Sequence, residues 1–414
     1  MKRLYVWVRC THGETRFVGE LATTEPSTAG RFDSEFEYAP EWSTDPRAFP
    51  LDPASLPLQP LGRRFRAEQR YPPLSIFDDS LPDDWGRRLL ARSLSLEGRT
   101  PSPPEMLLAL QGGGPGALMF TESPSPPTPA TTPPTQSLAG LLSAAARFEA
   151  GTLPPGDEFR KLLEGSSRAG GARPKALVHD EQGEWLAKFP SRSRDGIFDI
   201  VGLEATCLEL ARRAGLTVPE TRLQAFGRRR VLLVRRFDVT KAGGRAHMIS
   251  MRTLCRERPG VYVTSYTDLA LALRKYSALP AEDVAALFRH MTFNAAIGNV
   301  DDHLKNFWML NGPSGYRSAP AFDLVPDVAE RREHHTLAFQ YGYGCPTREI
   351  LLTVAKEWRV ARAQECLDDV IRAARKFPAT ARRLAVRAGK GLDLVSADIR
   401  QRTESLARRA LERC

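Results

Sequence analysis

Asp301, Asn306 and Asp323 are the residues of this chain whose types and spacing could do chemistry together. Phosphoryl transfer to a hydroxyl calls for a carboxylate facing the attacking oxygen, an amide oxygen for one metal ion and a second carboxylate for another. In Gly298-Asn299-Val300-Asp301-Asp302-His303-Leu304-Lys305-Asn306-Phe307, Asp301 precedes Asn306 by five positions, the spacing such centres commonly use. Asp323 follows in Ala321-Phe322-Asp323-Leu324. This setting departs from the usual Asp-Phe-Gly order, because Phe322 precedes the acid and Leu324 follows it. Read alone, the stretch is equally a solvated polar turn.

Such a centre also has to hold a nucleotide. Ser166-Ser167-Arg168-Ala169-Gly170-Gly171-Ala172-Arg173-Pro174-Lys175 is rich in glycine and positive charge, and it is not a G-x-x-x-x-G-K-[ST] loop. Gly170, Gly171, Ala172, Arg173 and Lys175 either fold over phosphates or form an isolated turn. Lys188, in Trp185-Leu186-Ala187-Lys188-Phe189-Pro190, has apolar neighbours. Its ammonium must meet a carboxylate or phosphate, or reach water along the surface. Glu204 lies beside Cys207 and Leu208 on a helical pattern, as the partner of that lysine or as a surface acid. Phe237 follows the apolar run Val231-Leu232-Leu233-Val234 and packs against adenine or into the core. His303 touches phosphate or braces its loop. Lys305 neutralises the moving phosphoryl group or points to solvent.

The elements that must position these residues are legible in outline. Residues 4 to 8 and Glu35-Phe36-Glu37-Tyr38 alternate as strands, predicting a small β-rich module at the start. Pro82, early acids and later arginines predict a helix over about 82 to 96. The Pro-rich run from Ser123 to Pro134 predicts an extended linker or exposed loop. Next come strands Ala176 to His179 and Glu184 to Phe189, and a helix from Asp199 to Ala214 ending at Gly215. Two strands follow, near 220 to 226 and 230 to 234. Val284, Leu287, Phe288, Met291 and Ala295 recur at helical spacing after Pro280, and amphipathic helices follow Arg348.

Composition sets the frame. The chain has 414 residues, 42% of them hydrophobic, enough for two or three ordinary domains with a large core. No apolar run reaches the roughly 18 residues of a membrane span, and the start lacks a signal peptide's apolar stretch, so a cytoplasmic protein is expected. Six cysteines without a C-x-x-C pair predict reduced thiols rather than a zinc site. The net charge of +10, from 59 Lys+Arg against 49 Asp+Glu, favours acidic partners. Part of it lies in Arg382-Arg383, Arg387, Lys390 and Arg400 to Arg413, as a solvated helix face or as contacts to DNA phosphates. No helix-turn-helix signal stands out, so direct reading of DNA sequence is not expected.

Gly171-Ala172-Arg173-Pro174-Lys175, Lys188-Phe189-Pro190, Val218-Pro219-Glu220, Arg236-Phe237-Asp238, the Asn299 to Phe307 segment and Ala321-Phe322-Asp323 together resemble the HipA-type serine/threonine kinases, toxins of type II toxin-antitoxin pairs. Leu81-Pro82-Asp83 resembles their N-terminal subdomain. The resemblance implies an α+β, bilobal protein-kinase-like fold with a small β-rich N-terminal subdomain and a helical C-terminal lobe. On this reading 1–122 is the N-terminal subdomain, 123–136 a linker, 137–260 the small lobe and 261–414 the large lobe. It implies ATP and Mg²⁺, a small helix-turn-helix antitoxin, operator DNA reached only through that antitoxin, and a protein substrate such as an aminoacyl-tRNA synthetase. Asp301 would be the base, Asn306 and Asp323 the metal ligands, Lys188 the phosphate clamp, and the Gly170 to Lys175 loop the phosphate cover. Family members are silenced by phosphorylation of a loop serine, for which Ser167 is the nearest match and Ser166 the next. A weakly active binding protein assisting a DNA-bound antitoxin, and a small-molecule phosphotransferase on the same fold, are the alternative readings.

Overall fold

The computed structural model describes residues 2–24, 33–58, 61–67, 75–94, 102–110, 112–128, 132–167, 171–255, 264–327, 334–340 and 342–408. Two compact units emerge. The first comprises Met1–Phe189, Arg235–Pro259 and Met309–Gly315; the second comprises Pro190–Val234, Gly260–Trp308 and Tyr316–Cys414.

The first unit opens on a five-stranded antiparallel sheet, in the spatial order Arg64–Arg66, Ser34–Tyr38, Thr15–Thr23, Lys2–Arg9, Leu118–Thr121. Ser34–Tyr38 alternates strictly between buried and half-buried residues, the period-2 pattern of a strand with one face on a core. Phe36 and Phe77 meet on that face with ring centroids 5.3 Å apart. The strand contacts are close at Gly19, where a Cβ would fall 2.2 Å from the Glu37 carbonyl oxygen. The helix expected over 82 to 96 is Asp84–Ser93, and Pro82 stays outside it. Residues 95 and 96 lie outside the described residues.

Lys175–Asp180 and Gly183–Lys188 form the expected hairpin, with Asp180 Oδ1 accepting from Gln182 N (2.9 Å) and from Trp185 Nε1 (2.8 Å) to fix its tight turn. The Pro-rich segment is exposed over 123–126, and its end is extended. Pro134 bridges His179 in parallel, and Pro133 O accepts from His179 N at 2.9 Å, so the edge of the hairpin is covered by a strand-like proline run.

The first unit also takes in residues beyond the boundaries expected at 122 and 136. One of these stretches, residues 236–245, is tied to the 112–116 turn by a buried ionic cluster. Arg236 Nε donates to Asp238 Oδ1 at 3.0 Å, Arg236 Nη2 donates to Gly114 O at 3.2 Å, and Arg245 Nη1 donates to Gly112 O and Gly114 O at 3.1 and 3.0 Å. Gly116 N donates to Asp238 Oδ2 at 2.9 Å, which closes the 112–116 turn onto residues 236–245. Burial alone would raise the Asp238 carboxyl, but the Arg236 and Arg245 guanidinium groups hold it below the usual carboxylate range. Burial pushes Arg245 itself down to about 10.

In the second unit the helix Ile200–Arg213 starts at Asp199, whose side chain accepts from Gly202 N and also pairs with Arg230. It ends before Gly215, whose φ of +82° is the left-handed conformation that suits glycine. Thr221–Phe226 pairs with the following strand, Arg229–Arg235, through a two-residue turn at Gly227-Arg228. The helix Pro280–Ile297 has Pro in its first turn with Glu282 and Asp283, and Gly298 ends it with φ +70°. Arg348–Glu357, Ala363–Ala374, Phe377–Arg383 and Lys390–Ala407 complete the helical part. Among the described residues no helix is long and apolar enough to cross a membrane.

Two buried histidines give the fold a pH dependence. Burial pushes His247 and His290 down to about 4, so both stay neutral in the folded protein. The unfolded chain takes up these protons near pH 6.5, so their stabilisation is full above that pH and is lost toward pH 4. Asp79, raised to about 6 by burial, works in the opposite sense: below pH 6 the folded form keeps a proton the unfolded form has shed. Two groups against one leave a net loss. The urea midpoint should therefore fall from pH 7 to pH 5, and His247→Gln, whose amide can still donate to Leu51 O, should flatten that slope. A midpoint that rises on acidification would refute the assignment.

Candidate active site

The candidate residues fall in both units. In the first, the phosphate-loop candidates run directly into the hairpin. Lys175 stands opposite Lys188 in the strand register, and Phe189 N donates to Pro174 O at 2.9 Å, so the loop's end and the half-buried Lys188 are neighbours. Gly171 has φ +101°, and a Cβ there would lie 1.9 Å from Lys175 Nζ. The buried Lys175 side chain thus folds back over this position, and the φ of +101° is what favours glycine there. Ala172 is exposed and Arg173 half-buried. Gly170 lies outside the described residues. Phe237 is half-buried between the buried Arg236 and Asp238.

The loop expected from Ser166 onward begins later. Ser166 closes the helix Asp157–Ser166 and Ser167 caps it, and they are 0% and 4% exposed. Phe159 and Leu162 bury one face of this helix and carry its last turn inward with them. As candidate phosphorylation positions, both serines are enclosed in this conformation.

In the second unit the polar loop leaves the helix Pro280–Ile297 at Gly298. Asn299 is buried and donates through Nδ2 to Asn294 Oδ1 at 3.1 Å. Asp301 is exposed, whereas Asp302, one residue on, is fully buried. Asp302 Oδ2 accepts from Tyr266 Oη at 2.6 Å and from His335 Nδ1 at 2.9 Å, and its Oδ1 accepts from the backbone N of Thr336 and Leu337 at 2.8 and 3.3 Å. Asn294 Nδ2 donates to Tyr266 Oη at 3.0 Å. Burial, and then the Asp302 charge, raise the Tyr266 phenol well above its ordinary range, so it remains a donor.

A turn of 3₁₀ helix, Leu304–Asn306, follows. Asn306 Nδ2 donates to Asp301 O at 2.6 Å, which fixes the orientation of the amide and leaves Oδ1 as its acceptor. His303 and Lys305 are half-buried, and their carbonyls accept from Asn306 N (2.8 Å) and Trp308 Nε1 (2.6 Å). Asp323 has φ +57°, a left-handed conformation uncommon for residues other than glycine, asparagine and aspartate. Its segment is tied on both sides: Ala321 N donates to Thr217 O at 2.8 Å, and Asp327 N donates to Gly298 O at 2.9 Å. Gly298 also starts the Asp301 loop, so the two motifs share an anchor. Glu204, at 4% exposure, is buried on its helix rather than a surface acid. Burial, and then the charge of Glu204, raise the neighbouring Cys207 thiol.

Among the described residues no cluster of three or more His, Cys, Asp or Glu could hold a metal by itself. Magnesium at phosphoryl-transfer sites is bound through one or two carboxylates together with substrate phosphates, so the Asn306 oxygen and the Asp323 carboxylate are a donor set of the right chemistry. Of the basic surface, Arg383 pairs with Glu209, Arg402 with Asp398, and Arg387 N donates to Asp199 Oδ2 at 3.0 Å. Two of these guanidinium groups, those of Arg383 and Arg402, are thus engaged within their own unit.

Sequence reasoning left Asp302, Tyr266 and His335 without roles. The one available signal was the doubling of Asp301-Asp302.

These elements define a kinase-like α+β fold. Residues 11–121 match the HipA N-terminal domain and residues 167–378 the HipA-like C-terminal domain. The chain is similar to Y4mE of Sinorhizobium fredii, a kinase by name, at 30% identity over 344 residues, 76% of each chain. Y4dM of the same organism, also a kinase by name, is 29% identical over 177 residues, 38% of this chain and 41% of the relative. Among solved structures, HipA of Shewanella oneidensis MR-1, in a toxin-antitoxin complex with HipB and its operator DNA, superposes with a TM-score of 0.68 at 19% identity over 96% of each chain. The chain belongs to the HipA family.

The Asp302 network makes a direct prediction. Asp302→Ala strands four donors in the interior and should lower stability by about 3–5 kcal/mol, whereas Tyr266→Phe, which leaves three of them served, should cost about 1–2 kcal/mol. Urea unfolding of both variants checks the order, and equal losses would contradict it.

Proposed function

We propose that this chain is an ATP-dependent serine/threonine protein kinase that acts as a growth-inhibiting toxin. The observation that carries the reading is the fixed relation of three groups: an exposed Asp301, an Asn306 amide locked onto the Asp301 carbonyl, and an Asp323 held in a left-handed conformation by a segment anchored at Gly298. A scaffold without catalysis has no physical need for this set.

The roles follow from chemistry. Asp301 takes the proton of a substrate hydroxyl while that oxygen forms its bond to the γ-phosphorus, and the bond from phosphorus to the β,γ-bridging oxygen breaks with its electron pair leaving on ADP. Lys305, in the same turn, offsets charge on the transferring group. Lys188 would hold the α- and β-phosphates, the Gly171 to Lys175 loop would cover them, and Glu204 would belong to the ATP-binding residues. Asn306 and Asp323 would hold magnesium, which when bound neutralises charge on the phosphate oxygens. Phe237 would pack against adenine, and His303 would brace the loop or touch phosphate.

The family supports a small helix-turn-helix antitoxin as partner, since the Shewanella relative was solved with HipB and operator DNA. Contact with operator DNA would then be indirect. A component of translation such as an aminoacyl-tRNA synthetase is the proposed protein substrate.

Radiolabelled ATP added to lysate with the purified chain should label a discrete protein. Asp301→Ala and Asp323→Ala should each lower transfer by about 10²–10⁴-fold with folding intact. Asp323→Ala should also weaken Mg-ATP binding more than Asp301→Ala does. An unaltered rate in either variant would sink the assignment, and label found only on small molecules would point to a small-molecule phosphotransferase instead.

A further inference from the structure

Asp83 stands at the N-cap of the helix Asp84–Ser93, where an aspartate normally accepts from an amide of its own first turn. It makes no such bond. Its Oδ2 accepts instead from Gly171 N, at 2.7 Å and 88 residues away in sequence. The same turn reaches the loop twice more. Trp85 N donates to Gly171 O at 3.3 Å, and Trp85 Nε1 donates to Lys175 O at 3.1 Å. Trp85 is fully buried, with Phe148 edge-on at 5.3 Å, so the indole is a fixed post rather than a swinging arm. The next residue, Gly86, lies so close to the chain before the loop that a Cβ would meet Ser167 O at 2.7 Å.

One helical turn therefore holds both ends of the segment Gly171 to Lys175. The amides and guanidinium at its middle, Ala172 and Arg173, are presented from between two fixed points, and the far end sits opposite Lys188. A glycine-bearing loop free at both ends would lose conformational entropy on closing over phosphates; one already pinned has lost it in the fold. The carboxylate is the part of this clamp that a sequence change can remove without disturbing the buried Trp85.

We infer that Asp83 is a positioning residue for the nucleotide, acting through Gly171 to preorganise the loop. This rests on the phosphate-binding role proposed for that loop. It gives the N-terminal region of the chain a part in nucleotide binding.

The test is the affinity for Mg-ATP, by titration calorimetry on the full chain, alongside KM, kcat and the urea midpoint. Asp83→Ala should raise Kd and KM for ATP about tenfold or more, the loss of one charge-assisted hydrogen bond, with a smaller change in kcat. Asp83→Asn keeps an acceptor oxygen and should restore affinity to within about threefold of the parent. A role in stability alone would lower the urea midpoint and leave Kd unmoved. Lys188→Ala separates this inference from the reading beneath it. If Lys188→Ala loses Mg-ATP while folded Asp83→Ala binds it as the parent does, Asp83 has no positioning role and the phosphate site stands. If the parent chain binds no Mg-ATP, both fall.

Discussion

A buried carboxylate is costly unless its oxygens are fully served, and the loop that carries Asp301 is organised around one. Asp302 has no exposed surface and accepts four hydrogen bonds, from a tyrosine, a histidine and two consecutive backbone amides. Its donors come from the helix Tyr266–Tyr276 and from residues 335–337, so satisfying it brings those parts together with the end of the helix Pro280–Ile297. Thr336 adds to the tie by donating through N and Oγ1 to Val300 O at 3.1 and 3.0 Å. With Asp302 turned inward, the short turn leaves Asp301 outward. The proposed base is thus exposed beside a buried neighbour that anchors the turn.

The first unit uses the same device. Arg236 and Asp238 are buried together with Arg245, Glu184 accepts from Arg236 Nη1, and the carbonyls of Gly112 and Gly114 accept from the two guanidinium groups. A buried ion pair contributes little net stability over an apolar replacement, but it does not tolerate a shifted register, because a misplaced partner leaves a bare charge. The cluster therefore defines where residues 236–245 sit against the 112–116 turn, and Phe237 between the two charged residues is defined with them. In both units a functional candidate stands next in sequence to a buried charged residue that fixes it.

Membership of the HipA family rests on the matched domains and on a relative sharing three quarters of the chain's length. The proposed phosphate loop owes its form to the fold rather than to a phosphate-loop consensus. Gly171 suits its φ of +101°, and its backbone N and O are held by Asp83 and Trp85. Backbone contacts of this kind leave few demands on side-chain identity beyond the glycine.

Local chemistry determined much of the rest. The Asp301 to Asn306 spacing, the Gly298 stop, the Pro280 start, the Asp199 cap and the Lys175–Lys188 hairpin all rest on interactions spanning a few residues, and the sequence displays them directly. Glu204 could be read as a core or a surface acid, because a helical period places it at the margin of the apolar face; only the packing of that helix buried it. Ser166 and Ser167 read as loop because a glycine-rich stretch follows them, yet the buried face of their helix carries its last turn inward. Asp302 and Asp83 lay beyond local reading, since their partners are about 35 and 88 residues away. Propensity and periodicity report which face of a segment is apolar. They do not report which distant donor a buried carboxylate will meet, and the tertiary structure settles that for Asp302 and Asp83.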